Sequence, residues 1–248
     1  MAPKIILISG ASRGLGRGLA ERYLAKPNHI VIAANRNPSS APSQSLSQLP
    51  VGKSSSLIIV KLDAEIESDA TNAIKELKEK YDIEHLDVVI ANAGISEVWP
   101  AVKDVKIADL DRHVRINVYG VVALYQATRE LLRKTEGEPV FAPVGSSAGY
   151  IAGQPPITNA AYGPSKAALN WFVARIHAED EWMNTFALSP GWVQTELGNK
   201  GARGLGLEKA TVGVDESVDG MMKMLSETSK EKHGGKMVSY DGDVLDFK

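Results

Sequence analysis

Six short apolar runs recur along the chain between longer amphipathic segments, and this alternation limits the folds that the chain can adopt. Several of the runs are apolar at every position, which is typical of strands covered on both faces of a parallel sheet. The runs are IILIS (5–9), IVIAA (30–34), LIIVKL (57–62), LDVVIA (86–91), PVFAPV (139–144) and NTFALS (184–189). We interpret 14–25, 65–81, 107–133, 161–181 and 215–228 as helices and 236–245 as a last strand and tail. The alternation predicts a doubly wound α/β fold, a parallel sheet with helices on both faces.

The segment 37–55 interrupts this alternation with a stretch rich in serine, proline and glutamine. We interpret it as a surface loop with a broken helical turn rather than as a linker, because the alternation resumes unchanged after it. No internal repeat is present. We therefore expect one domain spanning residues 1–248.

Charge and cysteine content exclude several classes of function. The formal net charge of −2 provides no electrostatic reason to bind nucleic acid or an anionic membrane. No apolar run approaches the roughly 18 residues that a bilayer-spanning helix needs. The sequence contains 0 cysteines, so we expect neither disulfides nor a thiolate site. We predict a cytoplasmic protein without a metal site, a nucleic-acid partner or a membrane partner.

A glycine-rich turn joins the first strand to the first helix. In IILISGASRGLGRGLA, Gly10, Gly14 and Gly16 follow the apolar run, and a helical pattern continues after them. Glycines at such a turn allow positive φ and let a phosphate approach backbone N–H groups at a helix N-terminus. A glycine-rich stretch alone is weak support, but the strand and helix around it supply the context of a dinucleotide site.

The second strand indicates which nicotinamide the chain binds. NAD enzymes place an acidic residue about 20 residues beyond the glycines, where it binds the ribose 2′-hydroxyl. This chain has no Asp or Glu between Glu21 and Asp63, and Asn35 and Arg36 stand where the acid is expected. Arg13 also lies inside the glycine turn. Two guanidinium groups suit a 2′-phosphate, so we predict NADP(H).

The stretch AAYGPSKAAL places Tyr162 and Lys166 one helical turn apart at the start of a helix. Pro164 suits the first turn of a helix, and residues at i and i+4 share one face. Taken alone, this pair is more often an ordinary surface helix start than a catalytic site.

Five motifs in order along the full length resemble the short-chain dehydrogenase/reductase family: the glycine turn, Asn92-Ala93-Gly94, RINVYG (115–120), GSSAG (145–149) and Tyr162-x-x-x-Lys166. The resemblance implies a single Rossmann-type domain and a catalytic set of Asn117, Ser146, Tyr162 and Lys166. It also implies that a further set of residues binds the cofactor: Gly10, Ser12, Arg13, Gly14, Leu15, Gly16, Asn35, Arg36, Asp63, Asn92, Ala93, Gly94, Tyr162, Lys166, Pro190, Gly191, Val193 and Thr195. Ser9 replaces the family's usual threonine but keeps the hydroxyl.

The resemblance also implies roles for the catalytic residues. Reduction of a ketone needs a hydride at carbon and a proton at oxygen, and free tyrosine is too weak an acid at neutral pH. We expect the Lys166 ammonium to lower the pKa of Tyr162, Ser146 to hydrogen-bond the substrate oxygen, and Asn117 to hold a relay water. Ser147 stays an alternative to Ser146, which we favour because the catalytic serine of related chains stands three residues before the glycine.

The interval from Ser146 to Tyr162 is longer than is usual in the family, and residues 149–161 read as a loop beside the substrate. We expect aromatic and apolar residues to line the substrate side and to favour a hydrophobic ketone. They include Tyr150 and Trp192, together with Ile95, Trp99, Ile151, Pro155 and Leu197. The segment 199–210 is glycine-rich, and we expect it to be a mobile lid.

LDVVIANAG, the long loop and GWVQTELG are similar to fungal polyketide ketoreductases of the norsolorinic acid type and to carbonyl reductases related to sniffer and C-factor. The resemblance implies a homodimer or homotetramer that pairs through long helices, although Trp171 and Phe172 could instead fill a monomer core. Two alternatives to a ketone reductase stay open. One is an alcohol dehydrogenase that works oxidatively, and the other is an NADP-binding sensor or scaffold without turnover.

Overall fold

A computed structural model describes residues 2–154, 157–245 and 247. Among these residues the strands are Lys4–Ser9 (β1), His29–Asn35 (β2), Ser56–Lys61 (β3), Val88–Ala91 (β4), Val140–Pro143 (β5), Asn184–Thr185 (β6), Ala187–Ser189 (β7), Met237–Ser239 (β8) and Val244–Leu245 (β9). The helices are Gly14–Ala25 (α1), Ala41–Gln44 (α2), Glu67–Tyr81 (α3), Ile107–Val114 (α4), Gly120–Leu132 (α5), Tyr162–Glu179 (α6), Glu196–Gly204 (α7), Val214–Glu227 (α8) and Lys230–His233 (α9). Short 3₁₀ turns cover Ser45–Gln48, Val102–Asp104 and Ser147–Gly149, and a π-helical turn, Arg115–Tyr119, joins α4 to α5.

The described strands form a parallel sheet in the order β3-β2-β1-β4-β5-β6. A second sheet, β7-β8-β9, continues from it, because Val144 bridges Leu188 and the Gly145 N–H donates to the Leu188 carbonyl at 2.9 Å. The run 184–189 is thus two short strands separated at Phe186 rather than the one strand expected. The predicted doubly wound parallel sheet is confirmed.

Helices cover both faces of this sheet. The side chains of α3, α5 and α6 pack on one face, with Leu77, Leu131 and Leu169 fully buried. Those of α1 and α8 pack on the other, around Leu19 and Met221. Because each strand is covered on both sides, β1 is buried over its last five residues, as the unbroken apolar runs predicted.

The loop between β2 and β3 contains α2 and a 3₁₀ turn, which agrees with the broken helical turn expected there. The end of the chain forms the antiparallel pair β8–β9 rather than one strand and a tail. Across the part of the chain that the structure covers, no helix is both long and apolar enough to cross a membrane.

Candidate active site

The strand order reverses between β1 and β4, and the candidate site lies there, at the carboxyl ends of the parallel strands. Open α/β sheets bind their ligands at this position, because the loops from the two halves of the sheet diverge there. Gly10 follows β1, and Asn92 follows β4. The fold therefore brings the first and second predicted motifs to one edge of the sheet.

The glycine turn has the geometry that a phosphate needs. Gly10 and Gly14 have φ of 67° and 55°, values that side chains disfavour. A Cβ on Gly16 would lie 2.3 Å from the Gly10 carbonyl oxygen, so only glycine fits there. The helix that starts at Gly14 presents its unpaired N–H groups to this turn, and the neighbouring Ser12 and Leu15 are partly buried beside it.

Asn92 and Ala93 are tied to the glycine turn through hydrogen bonds. The Asn92 Nδ2 donates to the carbonyls of Ser9 (2.9 Å) and Gly10 (3.2 Å). The Ala93 N–H donates to the Ser9 hydroxyl at 3.0 Å. The hydroxyl that Ser9 shares with the family's threonine therefore connects the ends of β1 and β4. Gly94 follows directly, and a Cβ there would lie 3.1 Å from the Asn117 Oδ1.

The end of β2 carries a buried amide without a partner. Asn35 is 1 % exposed, and neither its Nδ2 nor its Oδ1 has a hydrogen-bond partner among the described residues. Buried polar groups are normally paired, so this amide fits a ligand atom. Arg36 is exposed and forms no ion pair within the described ranges, whereas the Asp63 Oδ1 accepts from the Glu65 N–H at 3.0 Å. The glycine cradle and the orphaned amide together fit a dinucleotide.

The structure brings Ser146, Tyr162 and Lys166 together. Tyr162 is the first residue of α6, and Ser146 lies near enough to its hydroxyl to oppose part of the rise in the Tyr162 pKa. The Lys166 Nζ lies 5.6 Å from the centre of the Tyr162 ring and donates to the Val144 carbonyl at 2.8 Å. Ser147 is exposed and is the first residue of the 3₁₀ turn that Ser146 caps. Of the two adjacent serines, Ser146 is therefore the one placed against Tyr162.

Burial decides the protonation of this pair. It raises the pKa of Tyr162 to about 12, against a smaller lowering by the hydrogen bond with Ser146. Burial also lowers the pKa of Lys166 to about 8, because the charged form is poorly solvated. The Tyr162 pKa is therefore raised, where a lowering by Lys166 was expected, because desolvation is the largest cause of its shift. At neutral pH the pair is a neutral phenol beside an ammonium.

Asn117 lies in the π-helical turn, fully buried. Its Oδ1 accepts from the Ile95 N–H at 2.8 Å, and its Nδ2 donates to the Ile95 carbonyl (2.9 Å) and the Ser165 hydroxyl (3.0 Å). Both amide N–H bonds are therefore used within the protein. The amide links the loop after β4 to α6, and the expectation that Asn117 holds a relay water stays a prediction.

The segment after β7 reaches back to the glycine turn. Gly191 has φ of 74°, and the Pro190 carbonyl accepts from the Ser217 hydroxyl at 2.7 Å. Thr195 caps α7 by accepting from the Gly198 N–H at 3.1 Å. Its Cγ2 lies 3.4 Å from the point where a Gly14 Cβ would stand, so Thr195 closes over the turn. Val193 is buried next to it.

The first half of the segment expected to be a mobile lid, residues 199–204, belongs to helix α7. A Cβ on Gly201 or Gly204 would lie 3.5 Å or 3.1 Å from the ring of Trp99, so these glycines form a flat surface against the indole. The Lys200 ammonium lies 5.9 Å from the centre of the same ring. Helix α7 is therefore docked on Trp99, a contact that the sequence did not indicate, and the mobility of the segment stays a prediction.

The other residues predicted to line the substrate side do not all lie in one place. The Trp192 Nε1 donates to the Gly198 carbonyl at 3.2 Å, beside the start of α7. Tyr150 packs on the cluster of Val173, Ala187 and Met237, and this packing does not favour contact with substrate. The remaining members of the predicted lining are Ile95, which binds Asn117, the exposed Ile151 and Leu197, and Pro155, which lies outside the described residues.

Two residues at this site were missed by reading the sequence. Ser165 accepts from Asn117 and donates to the Tyr162 carbonyl at 2.7 Å, and its position next to Lys166 was the available signal. Glu196 lies 2.5 Å from the Arg13 guanidinium through its Oε2. Since 183 positions separate these two, no local pattern could have indicated the contact.

The chain resembles several known oxidoreductases. A family model described as short chain dehydrogenase matches residues 4–206. The norsolorinic acid ketoreductase nor1 of Dothistroma septosporum is 39% identical over 96% of this chain and 91% of its own length. The norsolorinic acid ketoreductase of Aspergillus parasiticus is 37% identical over 97% of this chain and 90% of its own length. Among solved structures, an NADPH-bound carbonyl reductase from chicken fatty liver has a TM-score of 0.85 and 28% identity, covering 99% of this chain and 100% of that one.

Proposed function

The chain belongs to the short-chain dehydrogenase family, a family of oxidoreductases, and we propose that it is an NADPH-dependent reductase of hydrophobic ketones. The observation that carries this proposal is the contact of Ser146 with Tyr162, with the Lys166 ammonium beside the ring. A phenol, a hydroxyl and a cation at one point are the groups that protonation of a carbonyl oxygen requires.

Tyr162 acts as the proton donor. Burial raises its pKa to about 12, so the phenol keeps its proton at neutral pH, and transfer of that proton depends on stabilisation of the resulting phenolate by the Lys166 ammonium. The oxidative alternative is disfavoured by Arg13 and Arg36, which suit NADP(H).

Lys166 and Ser146 stabilise the charge that develops during transfer. As the proton moves to the substrate oxygen, negative charge grows on the Tyr162 oxygen and is attracted by the nearby ammonium. The Ser146 hydroxyl donates a hydrogen bond to the carbonyl oxygen before protonation. NADPH supplies the hydride at the carbonyl carbon, so that a ketone becomes an alcohol.

Preference for NADP(H) is supported by the surroundings of the 2′-position. The exposed Arg36 and the buried Asn35 follow each other at the end of β2, and no Asp or Glu occurs between Glu21 and Asp63. Arg13 lies in the glycine turn, directly before α1, and its guanidinium is exposed. The similar chicken carbonyl reductase was solved with NADPH bound.

A hydrophobic, aromatic or polyketide-derived ketone is supported by the indole rings near the cleft. Trp99 underlies α7 and Trp192 stands at its start. The relatives named for norsolorinic acid reduction share 37–39% identity with this chain, which favours a related aromatic ketone.

A homodimer or homotetramer is supported by the exposed apolar surface of α6. Trp171 is 61% exposed and stacks edge-to-face on Phe172 with ring centres 5.2 Å apart. The indole therefore does not fill a monomer core, and an exposed ring of this size suits an interface. Light scattering after size exclusion should give at least twice the 26.7 kDa of one chain. A monomer would contradict this part of the proposal.

The reductase proposal is tested by following NADPH oxidation with a panel of ketones: polycyclic aromatic, simple aromatic, aliphatic and 2-keto acid. We expect the highest kcat/KM with the aromatic ketones. NADPH binding without turnover of any ketone would instead favour the sensor or scaffold, and faster NADP⁺ reduction by the matching alcohols at neutral pH would favour the dehydrogenase.

The cofactor preference is tested by comparing kcat/KM for NADPH and NADH in wild type and in Arg36→Ala. Charge-assisted hydrogen bonds contribute about 1.5–3 kcal/mol, so the variant should lose about 10-fold or more of its preference for NADPH. Arg133→Ala removes a guanidinium stacked on Trp182 at the end of α5 and serves as the charge control. A wild type without preference for NADPH would refute the arginine argument.

A further inference from the structure

Arg13, one of the two arginines assigned to the cofactor's 2′-phosphate, is engaged by a carboxylate of the protein. Its Nη1 lies 2.5 Å from the Oε2 of Glu196, the first residue of α7. The two side chains are 71% and 74% exposed, so either one is free to leave the pair without disturbing the core. Arg36, the other assigned arginine, has no ion-pair partner in the described part of the chain.

The pair spans two elements that meet at the cleft. Arg13 precedes the first residue of α1, and Glu196 follows Thr195, whose methyl group packs beside Gly14. Glu196 is therefore held by the backbone next to the glycine turn, within reach of the Arg13 guanidinium. A carboxylate and a phosphate are both bidentate partners for arginine, so they compete for the same guanidinium.

We propose that Glu196 is a determinant of cofactor specificity that competes with the 2′-phosphate for Arg13 and so weakens the binding of NADP(H) without affecting NAD(H). The inference rests on the proposed function, since it takes the 2′-phosphate as the ligand of Arg13. When only a fraction of the protein is in the state that binds a ligand, the apparent affinity for that ligand falls in proportion to that fraction. Exposed ion pairs are typically favoured over their open state by a factor of about 1.4 to 5. Because NADPH binds the state in which Arg13 is open, the ion pair should weaken NADPH binding by about 2- to 6-fold.

The test measures dissociation constants of NADPH and NADH by titration calorimetry in wild type, Glu196→Gln, Arg13→Gln and the double variant. Glu196→Gln should tighten NADPH binding by about 2- to 6-fold and leave NADH binding unchanged. In the Arg13→Gln background the same substitution should have no effect, because the competition requires the guanidinium. Glu208→Gln, which removes an exposed carboxylate beyond the end of α7, is the control for net charge.

A second arm uses 2′,5′-ADP and 5′-AMP, fragments without the nicotinamide, so that closure over the reacting ring plays no part. Tightening by Glu196→Gln should appear with 2′,5′-ADP and not with 5′-AMP. Equal effects on both cofactors, or no effect on either, would overturn the inference while leaving a wild-type preference for NADPH intact. A wild type that binds NADPH and NADH equally would overturn both the inference and the proposed cofactor.

Discussion

Replacing Lys166 by methionine should change the pH dependence of folding stability by an amount that the structure sets. The ammonium is 6% exposed, and burial lowers its pKa from 10.5 to about 8. A shift of this size corresponds to about 3 kcal/mol by which the folded state disfavours the charged lysine.

The sign follows from proton linkage. Below pH 8 the lysine is charged in both the folded and the unfolded chain, and the full cost of burying the charge is present. Between pH 8 and 10.5 the folded chain releases the proton first, so wild-type stability rises with pH in this window. Relative to Lys166→Met, the wild type should gain about 1 kcal/mol from pH 7 to pH 9 and about 2–3 kcal/mol by pH 10.

Urea denaturation of both proteins without cofactor at pH 7, 8, 9 and 10 measures this gain. The hydrogen bond from Lys166 to the Val144 carbonyl is lost at every pH, so it adds a constant offset and leaves the slope alone. Titration of Tyr162, whose pKa is raised, occurs in both proteins and cancels in the difference. Lys53→Met, at an exposed loop position, is the control. A stability difference that stays constant from pH 7 to pH 10 would refute the reasoning.

Three further predictions concern activity and binding. The kcat/KM for ketone reduction should fall above pH 8 as Lys166 loses its proton, and any active Lys166→Arg variant should show no such fall below pH 10. The pH–rate profiles of wild type and variant measure this difference. If kcat/KM of the variant fell above pH 8 as in wild type, Lys166 would be excluded as the cause of the fall. Gly16→Ala should weaken NADPH binding by about 5-fold or more in a fluorescence titration, since its Cβ would lie 2.3 Å from the Gly10 carbonyl oxygen and overpacking of this kind costs about 1–3 kcal/mol. Gly137→Ala, with open space around the new methyl group, is the control, and equal behaviour of the two variants would contradict the steric argument. Gly204→Leu should raise the KM for ketone and leave the dissociation constant of NADPH unchanged, because the leucine would push α7 away from Trp99. Steady-state kinetics measure the KM. An unchanged KM would show that the contact of α7 with Trp99 does not shape the substrate side.

The sheet could be predicted because its signal is local and strong. Each strand core is a short apolar run, and burial on both faces removes the alternation that an exposed face would impose. The glycine turn was also predictable, since positive φ at Gly10 and Gly14 leaves a direct mark on the sequence. The split at Phe186 has no such mark, because a strand bend between two buried residues preserves the apolar pattern.

Helix α7 was missed because local propensity opposed it. Gly201 and Gly204 disfavour a helix by about 1 kcal/mol each, and the segment therefore read as mobile. The docking of both glycines on Trp99, about 100 positions away, offsets this cost, and a larger residue would prevent the contact. Tertiary packing of this kind leaves no periodic signal in the segment itself.

The sequence predicted which residues lie together at the candidate site better than it predicted the direction of their pKa shifts. The spacing of Tyr162 and Lys166 correctly placed both groups on one face of α6. The direction of the Tyr162 pKa shift depends on how much protein covers the phenol, which spacing does not report. The pairing of Arg13 with Glu196 likewise depends on the path of the chain after β7.

The proton-donor role of Tyr162 is tested most directly by single-turnover reduction of an aromatic ketone by Tyr162→Phe with NADPH already bound. The substitution removes one hydroxyl and keeps the ring of a half-buried side chain, so the dissociation constant of NADPH should stay within about 2-fold of wild type. Loss of a general acid costs about 10²- to 10⁴-fold, and the rate of hydride transfer should fall by that factor. Tyr81→Phe, at an exposed position at the end of α3, should react at the wild-type rate. A Tyr162→Phe variant that reduces the ketone as fast as wild type would contradict the account.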